Sequence, residues 1–264
     1  MQIPASFEAA WGAREQPTKG PRPALSLDRI LSAAITLADR EGLDGVSMAR
    51  VAAEVGSAPM SLYRYVATKD ELLLLMVDTA LGPPPEPDGS APGWRQGLGR
   101  WGTEIYERYL HHAWAVRVPI SGPPLTPNNI RWLEAALATL AGTPLGENEK
   151  LSCVLLVSGY ARSQALLIAE MMAGSPTHRP GEEPGLDYWG ILRQLAAPDL
   201  FPHLQPVIAA QEEEDAARES ATGARAASGD LSADALAELG GEVHFGLERI
   251  LDGIESLMNR RLEG

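Results

Sequence analysis

The sequence has few of the residues that build redox, metal and catalytic centres. It contains one cysteine and five histidines among 264 residues. A single cysteine excludes an internal disulfide, and the apolar run around Cys153 favours a buried, inert thiol over a redox sensor. His111 and His112 are adjacent, and adjacent residues of a helix point to different sides. Since the sequence also lacks a phosphate-binding loop and a nucleophile motif, we expect no metal site, no cofactor and no enzymatic activity.

The sequence also lacks a long apolar run and an excess of basic residues. No run approaches the roughly twenty apolar residues that a membrane span requires, and no basic stretch followed by an apolar one marks a signal peptide. We therefore expect a cytoplasmic protein that contacts no membrane. The net charge of −13 argues against nonspecific binding of nucleic acid, because contact with phosphates rewards a basic surface.

About half of that negative charge is local. Residues 211–242 carry nine acidic side chains and two arginines, and their alanine, glycine and serine content predicts a disordered acidic loop. Residues 22–80, by contrast, hold six basic and eight acidic residues, a net charge of −2. Any contact of this segment with DNA must therefore depend on where its few cations are placed.

Proline and glycine divide the chain into segments. Residues 1–24 contain four prolines and no sustained apolar period, which predicts a flexible N-terminal arm; contact of its basic residues with DNA and a purposeless tail are both open. Residues 83–93 are rich in proline and glycine and predict a rigid connector between a first domain, 25–82, and a second, 94–264. Helical periodicity continues through both domains without strand-like alternation, so the predicted fold class is all-α.

The first domain carries the pattern of a helix-turn-helix. Ser47 lies where a helix N-cap should, and the helix after it ends at Gly56, where a glycine can take the positive φ of a sharp turn. Pro59 opens the next, short helix. The motif Thr68-Lys69-Asp70-Glu71 is a capping box that starts a further helix. Its lysine lies at the positive helix end, where amides and an ammonium group converge on an anion.

These features predict a surface that binds DNA. Tyr63, Arg64 and Lys69 are expected to contact phosphates, while residues 58–61 are expected to make largely apolar contacts to bases. Arg64 could instead reach a guanine edge. The inward anchors of the second helix are expected to be Leu62 and Tyr65. The candidate DNA-contact residues are Ser47, Arg50, Ala58, Pro59, Met60, Ser61, Tyr63, Arg64, Tyr65 and Lys69.

The motifs between Ile30 and Leu81 resemble the DNA-binding domain of the tetracycline-repressor (TetR) family of transcription regulators. They include Val46-Ser47-Met48, Leu62-Tyr63-Arg64-Tyr65-Val66 and Lys69-Asp70-Glu71-Leu72-Leu73. The remainder, including Thr126-Pro127-Asn128-Asn129, is similar to the C-terminal domain of the same family. The resemblance implies a homodimeric DNA-binding regulator with a ligand-binding second domain. Tetracycline-sensing members bind the magnesium-bound drug through a histidine, and residues 117–145 contain none, which disfavours tetracycline as the ligand.

The second domain combines long apolar helices with scattered aromatic and polar residues. Helices predicted from Glu147 to Ala173 and from Glu242 to Arg261 are apolar on more than one face. They predict a four-helix interface of a homodimer, with a monomer that buries both surfaces itself as the alternative. A ligand pocket combines aromatic with polar groups, although each such residue alone suits ordinary packing, and Asn128 and Asn129 also suit helix caps. The candidate pocket residues are Trp101, Tyr106, Arg117, Asn129, Trp132, Tyr160, Gln164 and Trp189.

The sequence therefore predicts a ligand-responsive transcription regulator, a repressor released by a small apolar or aromatic effector. Its partners would be a palindromic operator in double-stranded DNA, the effector and a second copy of the chain. Two recognition helices would enter successive major grooves about 34–36 Å apart, and the effector would favour a dimer geometry that no longer fits. The alternative is a helical ligand- or partner-binding protein whose helix-turn-helix domain no longer binds DNA.

Overall fold

The computed structural model describes residues 5–12, 25–86, 93–120, 122, 125–174, 188–222 and 233–263, and every regular element within them is a helix. The predicted all-α class is confirmed. Single turns of 3-10 helix at Leu43–Gly45 and Ala115–Arg117 follow the second and sixth α-helices. The α-helices are α1 Ala5–Ala10, α2 Leu27–Glu41, α3 Met48–Glu54, α4 Pro59–Leu62, α5 Lys69–Leu81, α6 Trp94–His111, α7 Pro127–Thr139, α8 Glu147–Gly174, α9 Tyr188–Leu195, α10 Gln205–Thr222 and α11 Ala233–Glu263.

The helices fall into two compact units. The first comprises Met1–Ala169 with Gly240–Gly264, and the second comprises Glu170–Leu239. Helices α1 to α7 belong to the first unit, together with most of α8 and α11, whereas α9 and α10 pack on each other in the second. The connector predicted over 83–93, of which residues 87–92 lie outside the described residues, thus joins two parts of one unit. The reason is that α5 packs on both α6 and α7.

Local signals set the ends of the helices that precede the connector. Ser26 Oγ accepts the Arg29 amide at 3.2 Å and caps α2, and Gly56 takes a φ of +67° where the chain turns from α3 towards α4. Helix α2 packs on α3 and α5, and α3 packs on α4. The apolar positions of these helices form a buried core that includes Ile30, Leu37, Val51, Leu62, Leu72 and Met76.

Helix α6 lies very close to α8 and α11. A Cβ atom added at Gly102 would lie 2.8 Å from Val157 of α8 and 3.3 Å from Leu247 of α11, so a larger residue there would separate the helices. The segment Glu147–Met171 of α8 is long and apolar enough to cross a membrane by length and composition alone. No long apolar run was evident in the sequence because polar residues interrupt this segment. Several of its apolar positions, including Val154 and Val157, are buried inside the unit.

Two predictions of flexible segments are wrong for part of their length. The arm predicted over 1–24 contains α1, whose Phe7 is buried. The disordered loop predicted over 211–242 is helical at 211–222 and again from 233 onwards, because alanine and glutamate favour helix. The other parts lie outside the described residues: 1–4, 13–24 with the basic residues Arg14, Lys19 and Arg22, and 223–232.

Candidate nucleic-acid interface

The second helix of the helix-turn-helix presents an exposed face. Leu62 is fully buried and fixes α4 against the core. On the opposite side, Met60 exposes 74% and Tyr63 45% of its surface, and such exposure of large side chains is typical of a binding surface. The reader face consists of Ala58, Pro59, Met60, Tyr63 and Arg64, all exposed, with Ser61 half-buried among them.

The first turn of α5 is a candidate anion-binding position. Thr68 Oγ1 accepts the Glu71 amide at 3.1 Å, which is one bond of the predicted capping box. The Glu71 carboxylate accepts the amide of Ala67 at 2.6 Å instead of that of the N-cap Thr68, so the reciprocal bond is displaced by one residue. The amides of Lys69 and Asp70 have no hydrogen-bond acceptor among the described residues. These two donors and the exposed Lys69 ammonium group suit a phosphate oxygen at a helix N-terminus.

Two arginines near this surface are paired within the protein. Arg50 Nη2 lies 2.5 Å from a carboxylate oxygen of Glu41, and Arg40 lies 2.8 Å from Glu41 and 3.0 Å from Glu54. Hydrogen bonds from Arg40 and then Arg50 hold the pKa of Glu41 below its ordinary value. Arg50, a predicted DNA contact, therefore has its charge offset by a carboxylate.

The two basic side chains among the predicted phosphate contacts are Arg64 and Lys69. Neither makes an ion pair within the part of the chain that the structure describes, and both are exposed. The segment around them carries no excess of positive charge. Contact of this surface with phosphates would therefore depend mainly on these two cations.

Tyr65 and Ser47 have internal roles. The Tyr65 hydroxyl donates to the Leu25 carbonyl at 2.8 Å, which ties the chain before α2 to the end of the helix-turn-helix. Ser47 Oγ accepts the Arg50 amide at 3.3 Å and caps α3. Tyr65 was also predicted to contact DNA. Its ring is half-buried and its hydroxyl is bonded within the protein, and its contact with DNA stays a prediction.

The last turns of α5 are bonded to the first turn of α7. Asp78 is 4% exposed; its carboxylate accepts the Asn129 amide at 2.9 Å, and its carbonyl accepts from Asn128 Nδ2 at 3.0 Å. Burial raises the pKa of Asp78, and hydrogen bonds from Thr126 and Asn129 oppose that rise. Thr126 stands at the N-cap of α7 without making a capping bond, so Asp78 supplies the cap from another helix.

Two tryptophans extend this connection. Trp132 Nε1 of α7 donates to the Gly82 carbonyl at the end of α5 at 2.8 Å, and Trp101 Nε1 of α6 donates to the Trp132 carbonyl at 2.9 Å. The two indole rings meet edge-on with centroids 6.0 Å apart. We call the set of Asp78, Gly82, Asn128, Asn129 and Trp132 the α5–α7 joint. Three predicted pocket residues, Trp101, Asn129 and Trp132, thus use polar atoms to connect helices.

A histidine takes part in a second link, between α2 and the end of α6. Asp39 Oδ1 accepts from Trp114 Nε1 at 2.6 Å and lies 2.8 Å from His112 Nδ1. The ring of His111 meets that of His112 edge-on at 4.7 Å. Among the described residues, no group of three histidine, cysteine or carboxylate side chains is placed to hold a metal ion.

Tyr106 and Tyr109 of α6 combine buried rings with unbonded hydroxyls. Burial raises the pKa of both phenols, so both are neutral near neutral pH. Neither hydroxyl has a hydrogen-bond partner in the described part of the chain, and neither oxygen is completely enclosed. Tyr106 is a predicted pocket residue. Tyr109 was not among the predicted pocket residues, although its position three residues after Tyr106 on the same helix was an available signal.

The remaining predicted pocket residues are dispersed. The Tyr160 hydroxyl of α8 donates to the Val243 carbonyl of α11 at 3.2 Å, Gln164 is half-buried and Arg117 is exposed. Trp189 is half-buried on α9 and belongs to the second unit. The residues of the first unit that the prediction grouped as one pocket therefore have several different surroundings.

Helices α8 and α11 leave an open apolar groove between them. It has a volume of about 610 Å³ and is lined by Cys153, Leu156, Ile250, Ile254 and Leu257 among others. Burial raises the pKa of the Cys153 thiol, which keeps it protonated and unreactive. The same two helices carry further exposed apolar side chains, Leu151, Leu155, Leu167, Phe245 and Leu262.

Two family models match the chain. One is described as bacterial regulatory proteins, tetR family, and matches residues 30–76, which include α3, α4 and most of α5. The other is described as tetracyclin repressor-like, C-terminal domain, and matches residues 85–222. These two matches agree with the division of labour between a DNA-binding and a C-terminal region that the sequence resemblance implies.

Individual relatives agree with the family models. The chain is 34% identical to the HTH-type transcriptional repressor DrrR1 of Streptomyces coeruleorubidus over 260 residues, which cover 98% of this chain and 88% of the relative. The chain is 33% identical to an HTH-type transcriptional regulator of Saccharopolyspora erythraea over 152 residues, which cover 58% of this chain and 64% of the relative.

Solved structures share the fold. Apo ActR of Streptomyces coelicolor superimposes with a TM-score of 0.67 at 22% identity, covering 91% of this chain and 99% of ActR. ActR in complex with actinorhodin gives a TM-score of 0.65 at 25% identity, covering 90% and 98%. TetR-family regulators bind DNA and are not enzymes, so the prediction of a non-enzymatic DNA-binding regulator is confirmed. The chain belongs to the tetR family of bacterial regulatory proteins.

Proposed function

We propose that this regulator is a cytoplasmic repressor that binds a palindromic operator as a homodimer and is released by a small aromatic effector. One observation carries the proposal: α5 bears the anion-binding position at its first turn and the α5–α7 joint at its last turns. Its 13 residues span about 20 Å at 1.5 Å per residue. A displacement of α7 would therefore move the phosphate contact at the opposite end of α5.

The reader face supports specific contact with DNA. Its exposed side chains are mostly apolar or small, which suits contact with thymine methyl groups and the floor of the major groove. Arg64 on the face and Lys69 at the start of α5 would set the register of the face on the phosphates. In a dimer, two such faces would enter successive major grooves about 34–36 Å apart.

The groove between α8 and α11 supports the homodimer. Leu155 exposes 62% and Phe245 65% of its surface, and apolar exposure on two neighbouring long helices marks an interaction surface. Pairing the two helices with those of a second copy would make a four-helix interface and cover these side chains.

The effector class follows from two features. ActR, a structural relative at 25% identity, was solved in complex with actinorhodin. In this chain, Tyr106 and Tyr109 place buried aromatic rings and unbonded hydroxyls on one helix. An aromatic effector with polar substituents could stack on such rings and bond their hydroxyls. The repressor direction follows DrrR1, whose name describes a transcriptional repressor.

The experiment is a mobility-shift titration of the full chain against the DNA that flanks its own gene. We expect the wild type to shift a discrete fragment, and the double variant R64A/K69A to lose that shift while sedimenting as the same dimer. Retained binding by the double variant would contradict this reader face. Absence of a shift with the wild type would instead favour a ligand- or partner-binding protein with a DNA-silent helix-turn-helix.

A further inference from the structure

The helix before the helix-turn-helix docks on the first turn of α5. Helix α1 has six residues, too few to persist alone in water, so its stability must come from packing. It contacts α5, and two consecutive side chains are buried there: Ser6 is 3% and Phe7 is 7% exposed. The Ser6 hydroxyl donates to Oε1 of Glu71.

Glu71 thereby has two bonded oxygens. Its Oε2 accepts the amide of Ala67, the residue before the N-cap Thr68, at 2.6 Å, and its Oε1 accepts from Ser6 of α1. The amides of Lys69 and Asp70, which have no acceptor among the described residues, lie in the same turn. The two bonds of Glu71 fix the orientation of its carboxylate, and with it that of the first turn of α5, relative to α1.

The residue that follows α1 reaches the start of α7. Trp11 Nε1 donates to the Leu125 carbonyl at 2.9 Å, two residues before α7 begins at Pro127. Residues 5–12 thus contact both α5 at its first turn and the chain just before α7. Together with the α5–α7 joint, this arrangement ties α5 to the α7 region at both of its ends.

We propose that Ser6, Phe7 and Trp11 are positioning residues for operator binding. They do not contact DNA; they hold the first turn of α5, and with it Lys69, in the orientation that a phosphate requires. The inference rests on the proposed function, since it presupposes an operator. It assigns to residues 5–12 a role that differs from that of a flexible arm which touches DNA itself.

The test measures operator affinity across a series of salt concentrations, using a labelled duplex that carries the palindrome protected by the wild type. Variant S6A should weaken binding by about fivefold, as for the loss of one buried hydrogen bond. F7A removes a buried ring and should weaken binding at least as much, and W11F should weaken it less. S6T, which retains the hydroxyl, should recover most of the affinity. E8A is the matched control, because Glu8 is exposed on the same helix, and should bind as the wild type does.

A double-mutant cycle with K69A separates positioning from general stability. If α1 acts through Lys69, S6A should have little further effect in the K69A background, whereas a merely structural role would lower affinity equally in both. S6A removes a single oxygen atom, so it decides the matter even if F7A fails to fold. Wild-type affinity in both S6A and F7A, or an undiminished S6A effect beside K69A, would overturn the inference. A wild type that protects no palindrome would overturn the proposed function as well.

Discussion

The carboxylate of Asp78 accepts the backbone amide of Asn129 at 2.9 Å, so that a residue of α5 caps the first turn of α7. Buried carboxylates are retained where they satisfy donors that water cannot reach. Here the donor belongs to the C-terminal helices and the acceptor to the helix that follows the reader face. This hydrogen bond therefore links the helix that follows the reader face directly to α7.

Removing the Asp78 cap should destabilise the protein. Replacing its carboxylate by an amide should change the stability very little. We expect D78A to lower the free energy of unfolding by about 1–2 kcal/mol, because the first turn of α7 loses its acceptor. D78N keeps an acceptor oxygen and should stay within about 0.5 kcal/mol of the wild type at neutral pH. Urea denaturation followed by circular dichroism measures both. Equal losses in the two variants would show that the cap is not what matters.

The raised pKa of Asp78 gives the stability a defined dependence on pH. Since burial raises this pKa above 3.8, the folded chain keeps a proton that the unfolded chain releases. The free energy of unfolding should therefore fall as pH rises from about 3.8 through the folded pKa. The contribution of Asp78 to stability is thus larger on the acid side of this range. Because D78N lacks this group, the difference between wild type and D78N isolates it. A difference that does not change across this pH range would contradict the account.

Lys69 should contribute one counterion to operator binding, and Arg40 should contribute none. Lys69 is exposed beside free amides, whereas Arg40 is paired with Glu41 and Glu54. We expect K69A to reduce the slope of log K against log salt concentration by about 1 and to weaken binding at every sequence. R40A is the matched control and should keep the wild-type slope. Fluorescence anisotropy over a salt series gives both slopes.

Tyr65 should matter for stability and not for contact with phosphates. Y65F removes the hydroxyl that donates to the Leu25 carbonyl, so we expect a loss of about 1 kcal/mol in the free energy of unfolding. The salt dependence of operator binding should be unchanged. Y63F, on the exposed reader face, should leave stability unchanged. A smaller slope of log K against log salt concentration in Y65F would show that Tyr65 contacts the DNA.

Leu155 should be required for the dimer. It is 62% exposed on α8 and precedes the groove residue Leu156, so L155R places two charges in the proposed two-fold interface without disturbing the core of one chain. Sedimentation velocity should show a monomer with unchanged helical content. I120R is the control, because Ile120 is 74% exposed and lies outside both helices. A dimer of L155R would place the interface elsewhere.

The sequence predicted best what depends on neighbours along the chain. The caps at Ser47 and Thr68 involve amides three residues away, and the positive φ of Gly56 belongs to one residue. The bounds predicted for α8, Glu147 to Ala173, lie within one residue of those observed. Capping and turn chemistry are readable because both partners stand in the same short segment.

Contacts between distant segments could not be read in this way. Asp78 looks like an ordinary surface residue of an apolar helix until α7 brings Asn129 against it. Trp101 and Trp132 suited a ligand pocket by residue type, but their indole N–H groups are bonded to carbonyls of neighbouring helices. Helix α1 went unpredicted because six residues give no periodicity to detect. In each case the partner is more than twenty residues away.

The most direct test of the central claim is a hydroxyl-radical footprint of the wild-type dimer on the DNA that flanks its own gene, at low and at moderate salt. The account predicts protection of two symmetric half-sites about one helical turn apart, about 34–36 Å, which weakens as salt rises. Protection that is uniform along the fragment, or absent at both salt concentrations, would contradict it.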